Sequence, residues 1–90
     1  MKDQTRTLIR LLERSTQEPF AYSTRWGRMD LPETIDRSLV CRVGGFDPED
    51  ASLGTARLEA PWGDLPTGTT IVKGRTRRGD WAVVAVTDAA

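Results

Sequence analysis

Six consecutive residues near the end of the chain, WAVVAV from Trp81 to Val86, have no polar position on either alternating face. A strand of this kind is stable only with both faces covered. It therefore predicts a central strand over 81–87, and the rest of the chain must supply two layers of cover. The segment before it, Thr69 to Thr76, alternates in the same manner, and "RRGD", Arg77 to Asp80, separates the two. Gly79 supplies the left-handed position that a tight hairpin turn needs.

Other segments read as strands over 20–26, 38–46 and 54–60. In the first, Phe20, Tyr22, Thr24 and Trp26 alternate with Ala21, Ser23 and Arg25. In the second, Leu39, Cys41 and Val43 share a face before Gly44-Gly45 loosens the strand, and in the third Ala56, Leu58 and Ala60 point inward. A helix is predicted over 3–17, with Asp3 as its cap. Leu8, Leu11, Leu12 and Ser15 form one stripe with Ile9 at its edge, Arg6, Arg10, Glu13 and Arg14 lie on the wet side, and Pro19 closes the segment. "FDPEDASL" reads as a loop with one helical turn, capped by Asp47.

One helix followed by about five short strands predicts an α+β fold. The N-terminal helix would pack on a strongly bent antiparallel sheet or a small five-stranded barrel, SH3-like or OB-like by analogy only. Ninety residues suit one domain, 1–90, with helix 3–17 and a β-rich part over 20–87. The single Cys41 excludes an internal disulfide framework, and the absence of histidine excludes a four-ligand Cys/His zinc site. No metal and no cofactor is expected. No signal peptide or membrane-length apolar run is read, so the expected setting is soluble, reducing and cytoplasmic, without a membrane partner.

Trp-Gly followed by Asp-Leu-Pro occurs twice, as "WGRMDLPET" from Trp26 and "WGDLPTGT" from Trp62. The flanking residues do not align, and the second copy is two residues shorter between Gly and Asp. The pattern reads as one strand-end device used twice, with Gly permitting the turn and Pro forbidding a ladder hydrogen bond. Two indoles at one end of a thin core would also make a sticky patch.

Chemistry-bearing candidates are few. Cys41 as a nucleophile lacks a histidine base, and burial as a small hydrophobe is favoured. Asp47, Glu49, Asp50, Glu59 and Asp64 could do carboxylate chemistry only if two of them converge; the cap-forming loop is the simpler reading. The sharpest feature is "KGRTRRGDW": Lys73, Arg75, Arg77 and Arg78 without an acid among them, followed by Trp81. Lys73 and Arg75 should share a face, with Arg77 continuing it. Such a hairpin could contact phosphates and stack bases, although wet hairpin tips are commonly charged. Arg78-Gly79-Asp80 reads as turn chemistry ahead of cell adhesion.

The 13 basic residues balance 13 acidic ones, which argues against a dedicated nucleic-acid binder. The expected function is a small non-catalytic binding module acting on another protein: an adaptor, inhibitor or assembly subunit, of a size that suits a virus or mobile element. Its partner-binding residues would be Trp26, Trp62, Arg75, Arg77, Arg78 and Trp81. Residues 46–64 hold five acids and one arginine, and 73–78 hold four bases and no acid, so complementary patches permit a homodimer. The alternative is a nucleic-acid-binding small barrel using hairpin 73–81.

Overall fold

The computed structural model describes residues 6–18, 26–28, 31, 35–50 and 52–89. Its elements are β1 (Arg6–Ser15), β2 (Gly27–Arg28), α1 (Arg37–Gly44), β3 (Gly54–Arg57), β4 (Thr70–Arg75) and β5 (Trp81–Ala89). β1, β5, β4 and β3 form a four-stranded antiparallel sheet, and the two-residue β2 extends it beyond β3. The order β1-β5-β4-β3-β2 leaves β1 and β2 as the two edges, so the sheet is open and no barrel closes.

β5 takes the central place its composition demands. It lies between β1 and β4, and Ala82 to Val86 are all buried. On one face Ala82, Val84 and Val86 join Val72, Val40, Cys41, Phe46 and Leu53, with Ile9 and Val43 packed alongside; this is the α1 side. On the other face Val83, Ala85 and Ile71 meet Ala56, Leu58 and Leu65, with Leu12 and Trp26 against them. The residues between β3 and β4 therefore provide the second cover. Ala56 and Leu58 point inward as expected, but β3 ends at Arg57 and Ala60 is exposed.

Two predicted elements exchange identity. The helix predicted over 3–17 is, from Arg6 to Ser15, the strand β1, paired along β5 from Arg6↔Ala89 to Ser15↔Trp81. The register shifts between Leu11 and Glu13, a β-bulge at Leu12. Ile9, opposite Val86, serves the α1 face and Leu12 the other; past the bulge the alternation reverses, so Arg14, opposite Ala82, lies on the α1 side. Apolar residues at 8, 9, 11 and 12 thus mimic helical spacing while lying on a kinked strand.

The strand predicted over 38–46 is the helix α1. Asp36 caps it, its carboxylate accepting from the amides of Ser38 and Leu39. Gly45 ends it at φ 74°, donating to the Arg42 and Cys41 carbonyls. Val40, Cys41 and Gly44 are its buried residues, which is helical spacing, and Leu39 is left exposed. Phe46 then pairs with Thr76 in an isolated bridge. Asp47 caps the following turn through the Glu49 amide.

The strand predicted over 20–26 lies outside the described residues apart from Trp26, as does Asp3. Among the described residues no helix is long and apolar enough to cross a membrane.

Candidate functional site

The residues expected to meet a partner do not gather in one place. β4–β5 register puts Lys73 opposite Val83 and Arg75 opposite Trp81, on the face away from α1. Lys73 and Arg75 share that face as expected. The Lys73 ammonium lies 5.0 Å from the Trp26 ring centroid and 5.6 Å from that of Trp81, and 2.5 Å from Glu18 Oε2. Its side chain is only 11% exposed. The two indoles thus form a cage already filled by the protein's own cation. Arg75 leans on Trp81 at 5.9 Å and donates to the Gly79 carbonyl.

Arg77 does not continue this face. Its amide donates to the Gly45 carbonyl at 3.1 Å, which turns it toward α1. Arg78 is exposed at the hairpin tip. Gly79 has φ 95°, Thr76 donates its hydroxyl to the Asp80 carboxylate, and the Arg78 amide donates to that hydroxyl. Turn chemistry accounts for the Arg78-Gly79-Asp80 tripeptide, and Asp80 is engaged inward.

The two Trp-Gly pairs do different work. Gly63 (φ 59°) turns a tight hairpin in which Trp62 and Leu65 exchange both backbone hydrogen bonds at 2.9 Å, and Trp62 is 41% exposed. Gly27 instead sits within β2, with its carbonyl 2.7 Å from where a side chain on Gly54 would begin. It is the absent side chain of Gly54, not of Gly27, that lets those two backbones approach, whereas Gly63 itself permits a turn.

Beside Trp62 the hairpin is fixed to β1. Arg10 donates from Nη1 to Asp64 Oδ2 at 3.1 Å and from Nη2 to Oδ1 at 2.8 Å, a fork on a carboxylate. Neither sequence element signals the other; only the β1–β5 register brings them together. Arg10 and Asp64 border a groove of about 540 Å³, with Leu8 on the β1 side and Leu65, Pro66 and Ala85 providing apolar lining. Leu8 and Leu11, on opposite faces of β1, are 53% and 38% exposed.

The Arg10 fork holds the Asp64 carboxyl below its ordinary range, by hydrogen bonding first and charge second. Because the folded pKa is the lower one, this contribution is present above the unfolded value of about 3.9 and is lost as pH falls through the folded value. Carboxyl ¹³C titration is therefore expected to place Asp64 below 3.9, and Arg10→Gln to return it toward that value; equal titration in both proteins would refute the clamp.

The acidic loop forms the caps expected of it. Asp47 and Asp50 accept from the amides of Glu49 and Ser52, Asp64 is held by Arg10, and Glu49 and Glu59 are exposed. Among the described residues no three His, Cys, Asp or Glu side chains gather as metal ligands. Cys41 is buried, and burial pushes its thiol pKa up. Comparison with protein-family models, curated proteins and solved structures finds no match to this chain.

Proposed function

We propose that the protein is a binding module for another protein, and that its contact is the edge of β1 that no other described strand pairs. The observation that carries this reading is a ten-residue edge strand with two exposed leucines, bordering an apolar-lined groove. An edge strand offers unpaired amides and carbonyls to an extended segment, and flanking pockets select its side chains. Trp62 lies next to the Arg10–Asp64 clamp in sequence and adds an exposed aromatic.

A different protein suits this edge better than a second copy. Antiparallel self-pairing would double the Arg14 charge along one ladder, and the bulge at Leu12 interrupts it. The nucleic-acid reading loses its stacking platform, because Lys73 fills the space between Trp26 and Trp81. The module would act as an adaptor, inhibitor or assembly subunit.

The test is affinity capture from the source cell, after nuclease treatment and in high salt, with wild type and Leu8→Lys/Leu11→Lys. A specific protein should be retained by wild type and lost from the variant, whose stability should stay within about 0.5 kcal/mol per substitution. Equal capture by both, or retention only without nuclease, would refute the edge as the contact.

A further inference from the structure

We propose that the groove between α1 and the β4–β5 turn binds a phosphorylated side chain, held by Arg42 and Arg77. The groove measures about 330 Å³ and is lined by Ser38, Cys41, Arg42, Phe46, Pro48 and Arg77, with Gly45 at its margin. Its two arginines come from elements far apart in sequence, and the backbone sets their approach. Arg42 lies in the last turn of α1, and Arg77 is fixed to the residue ending that helix by its hydrogen bond to Gly45. A third guanidinium, that of Arg14, reaches within 3.6 Å of the position a side chain on Gly45 would occupy.

What distinguishes these arginines is the lack of an acid. The Arg10–Asp64 and Lys73–Glu18 ion pairs involve none of Arg14, Arg42 and Arg77. The neighbouring carboxylates pair with neither Arg42 nor Arg77, although Asp47 lies near enough to act on the Cys41 thiol. Asp36 accepts from the Ser38 and Leu39 amides, Asp47 from Glu49, and Asp80 from Thr76. Arg37 donates to the carbonyl of Pro48, which lines the same groove, at 2.8 Å. A chain of zero net charge thus separates its charges locally, leaving guanidinium forks over a floor made by the 2%-exposed Cys41 and Phe46. Burial keeps Cys41 a neutral thiol, so the floor adds no negative charge. A low-dielectric floor strengthens the attraction for an entering anion.

The anion that fits is a phosphoryl group. Arginine forks match its oxygens, and the Ser38 hydroxyl lines the same groove. A pocket is favoured over a polynucleotide track because, among the described residues, this side offers no exposed aromatic: Phe46 is buried, and Trp26 and Trp81 face Lys73 on the other side. That the phosphoryl group belongs to a protein rests on the binding reading above; the anion chemistry does not.

The experiment is an NMR titration of the ¹⁵N-labelled protein with N-acetyl-O-phosphoserine amide. Saturable shifts are expected at the Gly45 amide and at the Arg42 and Arg77 Nε–H signals. Arg42→Gln and Arg77→Gln should each weaken binding about tenfold, with unchanged spectra elsewhere showing that the fold is retained. N-acetylglutamate amide should bind more weakly, since it carries one charge and two oxygens. Leu8→Lys/Leu11→Lys should bind the probe as wild type does, so failure at the β1 edge and failure here are separable. The proposal is overturned by no saturable shift, by equal affinity for the glutamate probe, by indifference to both arginine substitutions, or by a 5′-phosphorylated oligothymidylate binding more tightly through the same residues.

Discussion

Replacing Phe46 by alanine is expected to lower the unfolding free energy by about 3–5 kcal/mol, a large share of the roughly 5–15 kcal/mol a domain possesses. The ring is 2% exposed and lies between two glycines. A side chain on Gly44 would begin inside the ring's contact distance, and one on Gly74 would begin 3.1 Å from Phe46 Cδ1 and 2.5 Å from Leu53 Cδ2. Neither glycine has positive φ, so backbone freedom does not explain them; the aromatic ring does. On propensity alone, Gly74→Ala in a strand would gain about 0.5–1 kcal/mol. The crowding reverses the sign, and a cost of about 1–3 kcal/mol is expected. In a Phe46→Ala background the ring contact is gone and only the Leu53 contact at 2.5 Å remains, so Gly74→Ala should cost less there. Urea unfolding of the four proteins measures the coupling, expected near 1 kcal/mol or more. Additivity within about 0.3 kcal/mol would show that the ring does not dictate Gly74.

Gly74 was legible only as a glycine interrupting a strand, because its reason is Phe46, 28 positions earlier by number. What could be read locally was read well. WAVVAV demands two covered faces and receives them, the 77–80 turn follows from Gly79, and Cys41 is buried as expected, though on a helix and not on the strand face it was read from. Residues 38–46 show where pattern misleads. Leu39, Cys41 and Val43 alternate like a strand, yet Asp36 and Gly45 bracket the segment as cap and stop. End signals outweighed a period that a stretch this short cannot settle. β1 fails for the opposite reason. Its helical spacing is real, but the open flank of β5 rewards a strand, and tertiary pairing overrides a weak local preference. The candidate sites were less legible still. Arg10 meets Asp64, and Arg42 meets Arg77, only after the sheet order is known.

Lys73→Ala is the second large effect, expected at about 1–3 kcal/mol from the lost cation–π and charged hydrogen-bond contacts. Lys73 stands opposite Gly54, whose missing side chain leaves room beside Trp26, and two strands from either edge, where a lysine is more usually placed. The ammonium reaches Glu18, Trp26 and Trp81 together, so it ties the residues after β1 and those before β2 to the hairpin. Glu18→Gln should cost less, about 0–1 kcal/mol, because Glu18 is half exposed and regains water. Lys73→Met separates the charge from the stem: it refills the apolar volume without the cation, and its stability should fall between wild type and Lys73→Ala. The cage itself supplies the sharper test. In Lys73→Ala the indoles and Glu18 face an empty, cation-sized space, so n-butylammonium should raise the melting temperature of this variant and leave wild type unmoved. n-Butanol at the same concentration carries the chain but not the charge. Equal rescue by both would mean that Lys73 acts as packing, and the cation between the two indoles would lose its role in holding the fold.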